Sequence, residues 1–331
     1  MAGPANLIHL ETITLDKDDL AQARRFNRLL AWTPRFRLRH RFAPRLIQTL
    51  VRISQIGGAY RMARRGCQVE TRSATANGLA VPVRILRPAG SVHGLVLDIH
   101  GGGWAVGNAA MDDGLNAAMI AACQVAVVSV DYRLFGRTPL RGLLDDCLAA
   151  TCWLLSNGLP GYRDLPVVIT GESAGAHLAA ATLLQLKAWP DLLRRIRGAL
   201  LYYGLYDLTG TASARRASAE TLVLDGPGIM PALSSLTPGL SEAERRQPPL
   251  SPLYGDLQGL PPALMFAGEL DPLRDDTTGM AKRWRMAAEV ELHLLPETPH
   301  GFIRLPTRVA KRVLERSHQW LLERLENGPD L

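Results

Sequence analysis

PVVITGESAGAHLAAATLLQLK, residues 166–187, is the stretch whose reading decides the architecture. PVVIT is a short apolar, β-branched run of the kind that makes a buried strand, and the alanine-rich segment from Ala174 onward has the composition of a helix. Between them lies Gly171-Glu172-Ser173-Ala174-Gly175, a G-x-S-x-G pentapeptide in strand-turn-helix context. A serine in so sharp a turn adopts a strained backbone conformation, and the glycines two residues to either side avoid clashes. Its hydroxyl then projects above the strand at a helix N-terminus, where developing negative charge is favoured. A purely structural turn is the plain alternative. The position directly after a buried strand favours Ser173 as a nucleophile.

Outward from this point the same alternation recurs. Strands are expected near 67–72, 80–87, 94–99, 124–130, 166–170, 198–203, 262–267 and 290–295, with helices near 109–122, 140–156, 174–188, 277–288 and 307–326. Asn77-Gly78 marks a hairpin turn between the first two strands. Apolar runs alternating with helices imply an α/β fold with a mostly parallel eight-stranded sheet, helices on both faces and an antiparallel first hairpin. Almost sixty residues separate the strands near 198–203 and 262–267, too long for a bare loop. Residues 206–250, broken by Gly226, Pro227, Gly228, Pro231, Pro238, Pro248 and Pro249, are read as a cap insertion. Residues 1–65 are read as a helical N-terminal cap segment, leaving 66–205 and 251–331 as the catalytic domain.

A serine hydroxyl becomes a useful nucleophile only when a base takes its proton, and the base needs an acid to fix its tautomer. Of the eight histidines, His300 in Thr298-Pro299-His300-Gly301-Phe302 is best placed, in a turn-rich loop between the last strand and the last helix. His93, His177, His293 and His318 fall within or at the edge of regular elements and are expected to pack or face solvent. The acid belongs after the preceding strand, where GELDPL offers Asp271. Asp275 and Asp276 compete, but both are explained equally well as N-terminal caps of a helix. His100-Gly101-Gly102-Gly103-Trp104 follows the strand GLVLDI. Consecutive glycines there indicate a backbone that approaches something closely, with His100 ordering the loop. A phosphate loop would need a P-loop lysine or a G-x-G-x-x-G spacing, and neither is present. An oxyanion hole, built from amides of this loop and of the residue after Ser173, accounts for it.

HGGGW, GESAG, Asp131-Tyr132-Arg133-Leu134, LPPALMFAGELDPLRDD and PHGF, in this order over residues 95 to 305, resemble the hormone-sensitive lipase family of α/β-hydrolases, in particular its bacterial esterases. The resemblance implies an α/β-hydrolase fold and a serine carboxylesterase with Ser173, Asp271 and His300 as the triad. It also implies oxyanion donors at the amides of Gly102, Gly103 and Ala174, and no cofactor or metal. An amidase or arylformamidase would use the same machinery, while a ligand receptor that has lost the histidine is argued against by His300. Two departures stand out. Glu172 occupies a position where the family commonly has Asp or Thr, and Phe135-Gly136-Arg137-Thr138-Pro139 replaces the usual Ala-Pro-Glu.

Composition narrows the setting. Cys67, Cys123, Cys147 and Cys152 lie in apolar patterns without metal-ligand spacing, and are expected to be buried free thiols in a reducing compartment. The N-terminal stretch is acidic where a signal peptide is basic, and no run approaches membrane-spanning length, so a cytoplasmic location without integral membrane association is expected. The net charge of +7 is concentrated near the start, where residues 1–70 hold Lys17 and twelve arginines against five acids. A solvated helical face is the simpler explanation of that charge, although an acidic partner or membrane surface would also suit it. No nucleic-acid motif appears. The expected partner is a small-molecule ester, with a homodimer left open. Neither cap segment is expected to offer the broad apolar outer surface of a lipase, so short acyl chains are favoured. Ser173→Ala is expected to abolish hydrolysis of p-nitrophenyl esters with the fold intact, as read by circular dichroism. Retention of more than a small fraction of turnover would dismiss Ser173 as nucleophile.

Overall fold

The computed structural model describes residues 13–37 and 43–326. Glu11, Arg39 and Arg41 of the charged N-terminal segment lie outside the described residues. Eight strands form one sheet: β1 (Cys67–Ala76), β2 (Leu79–Pro88), β3 (Gly94–Ile99), β4 (Val125–Val130), β5 (Val167–Glu172), β6 (Ile196–Tyr202), β7 (Ala263–Gly268) and β8 (Val290–Leu295). Their order is β1-β2-β4-β3-β5-β6-β7-β8. β1 and β2 pair antiparallel through a turn in which Asn77 and Gly78 both have positive φ, the geometry that an Asn-Gly hairpin supplies. β2 is antiparallel to β4, and every pair from β4 through β8 is parallel.

The central strands are buried on both faces, which is why they read as unbroken apolar runs. Leu95, Leu97, Ile99, Val128, Ile169 and Leu201 face one core layer, shared with the helices Leu140–Trp153 and Ala174–Leu186. Val96, Val127, Val168, Leu200 and Phe266 face the other, shared with Asp113–Cys123 and Arg308–Glu326. The period of two thus assigns each strand residue to one helical layer or the other. All four cysteines are free and buried. Among the described residues no helix is long and apolar enough to cross a membrane.

The segment between β6 and β7 contains short helices at Ala212–Arg215, Ile229–Leu236 and Glu242–Arg245. Its start is held by carboxylates of the helix Arg274–Trp284. Asp276 accepts the amides of Tyr206 at 2.7 Å and Asp207 at 2.9 Å and the Thr211 hydroxyl at 2.6 Å. Asp275 accepts the Ser213 amide at 2.8 Å. The expectation that these two acids cap their own helix is therefore corrected. The insertion leaves the sheet through a buried stretch whose amides need acceptors, and these side chains supply them.

The N-terminal helix Lys17–Leu30 begins with a capping box formed by Asp16 and Asp19, and Asn27 donates to the Glu297 carbonyl at 2.8 Å. The chain then crosses to the insertion. Phe36 donates its amide to Val223 O at 2.7 Å and accepts from the Asp225 amide at 3.1 Å, while Arg37 pairs with Asp225 at 3.3 Å. The next helix, Ala43–Ser54, leaves Leu46, Leu50 and Ile53 exposed, and Ile56 and Tyr60 follow suit. This overturns the expectation that the arginine-rich segment lacks an apolar outer surface, because arginine and apolar side chains at helical spacing sort onto separate strips of the same helix.

Asp276→Ala leaves two buried amides without an acceptor and is expected to lower the unfolding free energy by about 3 kcal/mol. Urea unfolding at neutral pH reads this directly, and an unchanged midpoint would show that the insertion is held elsewhere.

Candidate active site

β5 ends in a turn that places Ser173 at φ 53°, ψ −118°, immediately before the helix Ala174–Leu186. The turn is tight enough to exclude side chains beside it. A Cβ on Gly175 would lie 1.9 Å from Ile99 O and 2.6 Å from His100 O, and one on Gly171 would lie 2.5 Å from the Gly175 carbonyl. Both elbow glycines are therefore required by close backbone approach. That approach also fixes the glycine-rich loop after β3 against the serine.

Three segments far apart in sequence meet at this point. His300 Nε2 lies 2.9 Å from Ser173 Oγ, and His300 Nδ1 lies 2.9 Å from Asp271 Oδ2. A carboxylate accepts only, so Nδ1 carries the proton and Nε2 is left to accept from the serine hydroxyl. The other oxygen of Asp271 accepts the Leu273 amide at 2.8 Å, which fixes the carboxylate plane. Asp271 and His300 are buried.

Gly102, Gly103 and Trp104 of the loop after β3 line the same cavity as Ser173 and His300. Gly102 and Gly103 have φ 98° and 59°, and a Cβ on Gly102 would fall 2.0 Å from Val106 O. The Ala174 amide opens its helix and has no intrahelical acceptor. His100 stacks on Tyr132 with ring centroids 4.2 Å apart, and Tyr132 donates its hydroxyl to His100 O at 2.8 Å. Burial drives the His100 pKa down to about 4, so the ring is a neutral strut for the loop, as the sequence suggested. Phe135 donates its amide to Trp104 O at 2.8 Å, and Arg133 clamps Asp146 with contacts of 2.8 and 2.7 Å. The unusual Phe135–Pro139 segment thus still braces the glycine loop.

Three features were missed in the sequence. Trp104 Nε1 donates to His177 Nδ1 at 3.2 Å, and His177 Nε2 donates to Leu250 O at 2.8 Å, tying the glycine loop to the end of the insertion. Burial takes His177 down to about 4, which keeps it neutral as this arrangement requires. The second feature is Arg304, four residues after His300. Its Nε donates to Glu172 at 2.9 Å, and its guanidinium also reaches Asp112, while Tyr203 donates its hydroxyl to Glu172. Burial pushes Glu172 upward, but Arg304, Tyr203 and His300 outweigh it and bring its pKa below the usual carboxylate value. Asp112 is pushed up to about 8, chiefly by burial, against the pull of Arg304. The third is Tyr203, with φ 39° and its ring edge-on to His300 at 4.9 Å. The arginine's position four residues beyond His300, across the Gly301 turn, was the only sequence signal for this network.

Above Ser173 and His300 lies a cavity of about 310 Å³. Its walls combine Phe36, Ile47 and Val51 of the N-terminal segment with Leu224, Ile229 and Leu233 of the insertion, and Trp104 and Leu205 of the sheet domain. Apart from Arg37, Asp225, Glu172, Arg304, Tyr203 and the Ser173–His300 pair, the lining is apolar or glycine.

Residues 96–304 match a family model described as the alpha/beta hydrolase fold. The chain is 33% identical over 245 residues to a carboxylesterase, NlhH, of Mycobacterium tuberculosis, covering 71% of this chain and 76% of that protein. It is 30% identical over 254 residues to an ethyl acetate hydrolase of Pseudomonas putida, covering 72% and 76% respectively. Among solved structures, the esterase LipW of Mycobacterium marinum superposes with a TM-score of 0.80 at 27% identity, covering 95% of this chain and 99% of that one. A hormone-sensitive lipase from a metagenome library superposes with a TM-score of 0.72 at 26% identity, covering 92% and 98%.

Because a Cβ on Gly102 has nowhere to go but into the Val106 carbonyl, Gly102→Ala is expected to displace the loop amides. Turnover should fall about 10²-fold, mainly in kcat. A rise in KM with kcat unchanged would show instead that the loop only shapes the pocket.

Proposed function

The chain belongs to the hormone-sensitive lipase family of α/β-hydrolases and is a carboxylic ester hydrolase, and from that premise we propose that it acts through Ser173, His300 and Asp271 on short-chain esters. The observation that carries the triad is the chain of two hydrogen bonds from Ser173 through His300 to Asp271. In the first step His300 Nε2 takes the serine proton as Oγ attacks the ester carbonyl. The amides of Gly102, Gly103 and Ala174 receive the oxyanion, and Asp271 holds the ring while it is positively charged. The protonated Nε2 then delivers its proton to the leaving alcohol, and the acyl group remains on Oγ. A water molecule, deprotonated by the same nitrogen, attacks the acyl-enzyme and releases the acid and free serine.

Residues 1–65 and 206–250 serve in this reading as a two-part cap over the catalytic domain formed by 66–205 and 251–331. Support comes from the Phe36 backbone pairing with the insertion and from the joint lining of the cavity by both segments. A cap in this place would shield the site from water, which strengthens the oxyanion contacts, and would limit the length of the acyl group. One of the relatives is named for ethyl acetate, an ester of a two-carbon acid, which points the same way. Buried free thiols suit a reducing cytoplasm as the working compartment.

The test is a series of p-nitrophenyl esters. Acetate and butyrate are expected to exceed palmitate in kcat/KM, with the decline setting in beyond about six carbons as the cavity fills. Faster turnover of palmitate, or a jump in rate when emulsified triglyceride passes its solubility limit, would replace the short-chain reading with that of a lipase.

A further inference from the structure

The helix Ala43–Ser54 is apolar on two faces. Ile47 and Val51, one turn apart, line the cavity above Ser173. Leu46, Leu50 and Ile53, spaced four and three residues apart, form a separate strip that is exposed. The strip continues past the helix. Ile56 in the following turn is 74% exposed, and Tyr60 on the helix Gly58–Arg64 is 69% exposed. Five large apolar side chains within fifteen residues have no core to enter, and contiguous exposed apolar surface of this kind marks an interaction site.

The charge around the strip is of one sign. Residues 43–65 contain Arg45, Arg52, Arg61, Arg64 and Arg65 and no aspartate or glutamate. Arg52, Arg61, Arg64 and Arg65 are exposed. Arg61 donates to the carbonyls of Ser54 and Ile56 and so braces the turn that presents Ile56. The acids on neighbouring elements are already engaged. Asp113 is held by Arg84 through two contacts of 2.8 Å, and Asp131 accepts the Ala109 amide at 3.2 Å and is close enough to Arg52 to feel its charge, which leaves Arg61, Arg64 and Arg65 as the exposed cations of the face.

We propose that this face, from Leu46 to Arg65, docks the protein peripherally on an anionic lipid bilayer. An apolar strip beside arginines is the pattern of a helix that lies in the headgroup layer, with the aliphatic side chains buried at the acyl boundary and the guanidinium groups against the phosphates. A second copy is a poorer occupant, because a twofold contact would bring the exposed Arg61, Arg64 and Arg65 of both chains together. The docking does not depend on which ester is cleaved. Where both hold, the inner face of the same helix lines the cavity, so a docked enzyme has its pocket just beneath the lipid surface and meets amphiphilic esters resident there.

The experiment uses the full chain and co-sedimentation with phosphatidylcholine vesicles, with and without phosphatidylglycerol, at low and at high salt. Binding is expected with phosphatidylglycerol at low salt only, since salt screens the arginine contribution. The double variant Leu50→Glu/Ile53→Glu should bind about tenfold or more weakly, with melting temperature and p-nitrophenyl acetate turnover unchanged, because neither residue touches the cavity. Arg64→Glu/Arg65→Glu should weaken binding while leaving the apolar strip intact. Failure to bind phosphatidylglycerol vesicles, or equal binding to both compositions, would overturn the proposal. Light scattering that shows a dimer dissociated by Leu50→Glu/Ile53→Glu, without any vesicle binding, would assign the face to a second copy instead. A preference for long acyl chains in the ester series would leave the docking result standing, so the two readings fail separately.

Discussion

The close passage of the Gly175 backbone beneath the carbonyls of Ile99 and His100 is the contact on which the remaining arrangement depends. β3 and β5 are neighbours in the sheet, so their C-terminal ends emerge side by side. With no side chain at 171 or 175, the elbow can bend hard enough to lift Ser173 above the sheet at positive φ. Such a conformation costs about 1–3 kcal/mol, and it persists because the buried strand below and the helix behind leave the serine no other place. The same contact sets the distance between Ser173 and the glycine loop. A single packing constraint thus aligns two parts of the site that are seventy residues apart in sequence.

The third part is brought in by the edge of the sheet. β7 and β8 follow β6 in register, and the loops after them carry Asp271 and His300 toward the same end. Around this core the charges are arranged in a closed set. Arg304 bridges Glu172 and Asp112, and Tyr203 connects Glu172 to the imidazole of His300. An isolated carboxylate would be expensive to bury there, whereas one shared with an arginine is tolerated. This explains how a glutamate stands next to Ser173, where the family commonly has Asp or Thr. The longer side chain reaches outward to Arg304 and Tyr203.

The sheet was legible because central parallel strands are apolar on both faces, and runs such as GLVLDI and PALMFA have few other uses. Ser173, Asp271 and His300, the proposed triad, were legible because each sits in a turn-rich loop directly after such a run. Element ends were less so. The helix expected from 277 begins at Arg274, since Asp275 and Asp276 enter its first turn while their side chains serve the insertion. Contacts between distant segments left no local periodicity to read. Arg304 with Asp112, and Trp104 with His177, are pairs of ordinary residues until the fold brings them together. The outer strip of Leu46, Leu50 and Ile53 was masked by arginine density, because composition averages over the faces of a helix that structure separates.

The two halves of the molecule are unequally committed. The chemistry rests on strand ends locked by buried backbone contacts, so almost any change there disturbs a neighbour. The pocket wall is different: the N-terminal segment joins the insertion through the Phe36 backbone bonds, the Arg35 contact with the Thr221 carbonyl and the Arg37–Asp225 pair, with the half-buried Ile47 and Val51 facing the cavity. On the insertion side Ile229 and Leu233 line the same cavity but are packed into the core. Descent with modification therefore has a cheaper route to new ester preferences through Ile47 and Val51 than through the insertion, and laboratory diversification has the same two sites to begin from.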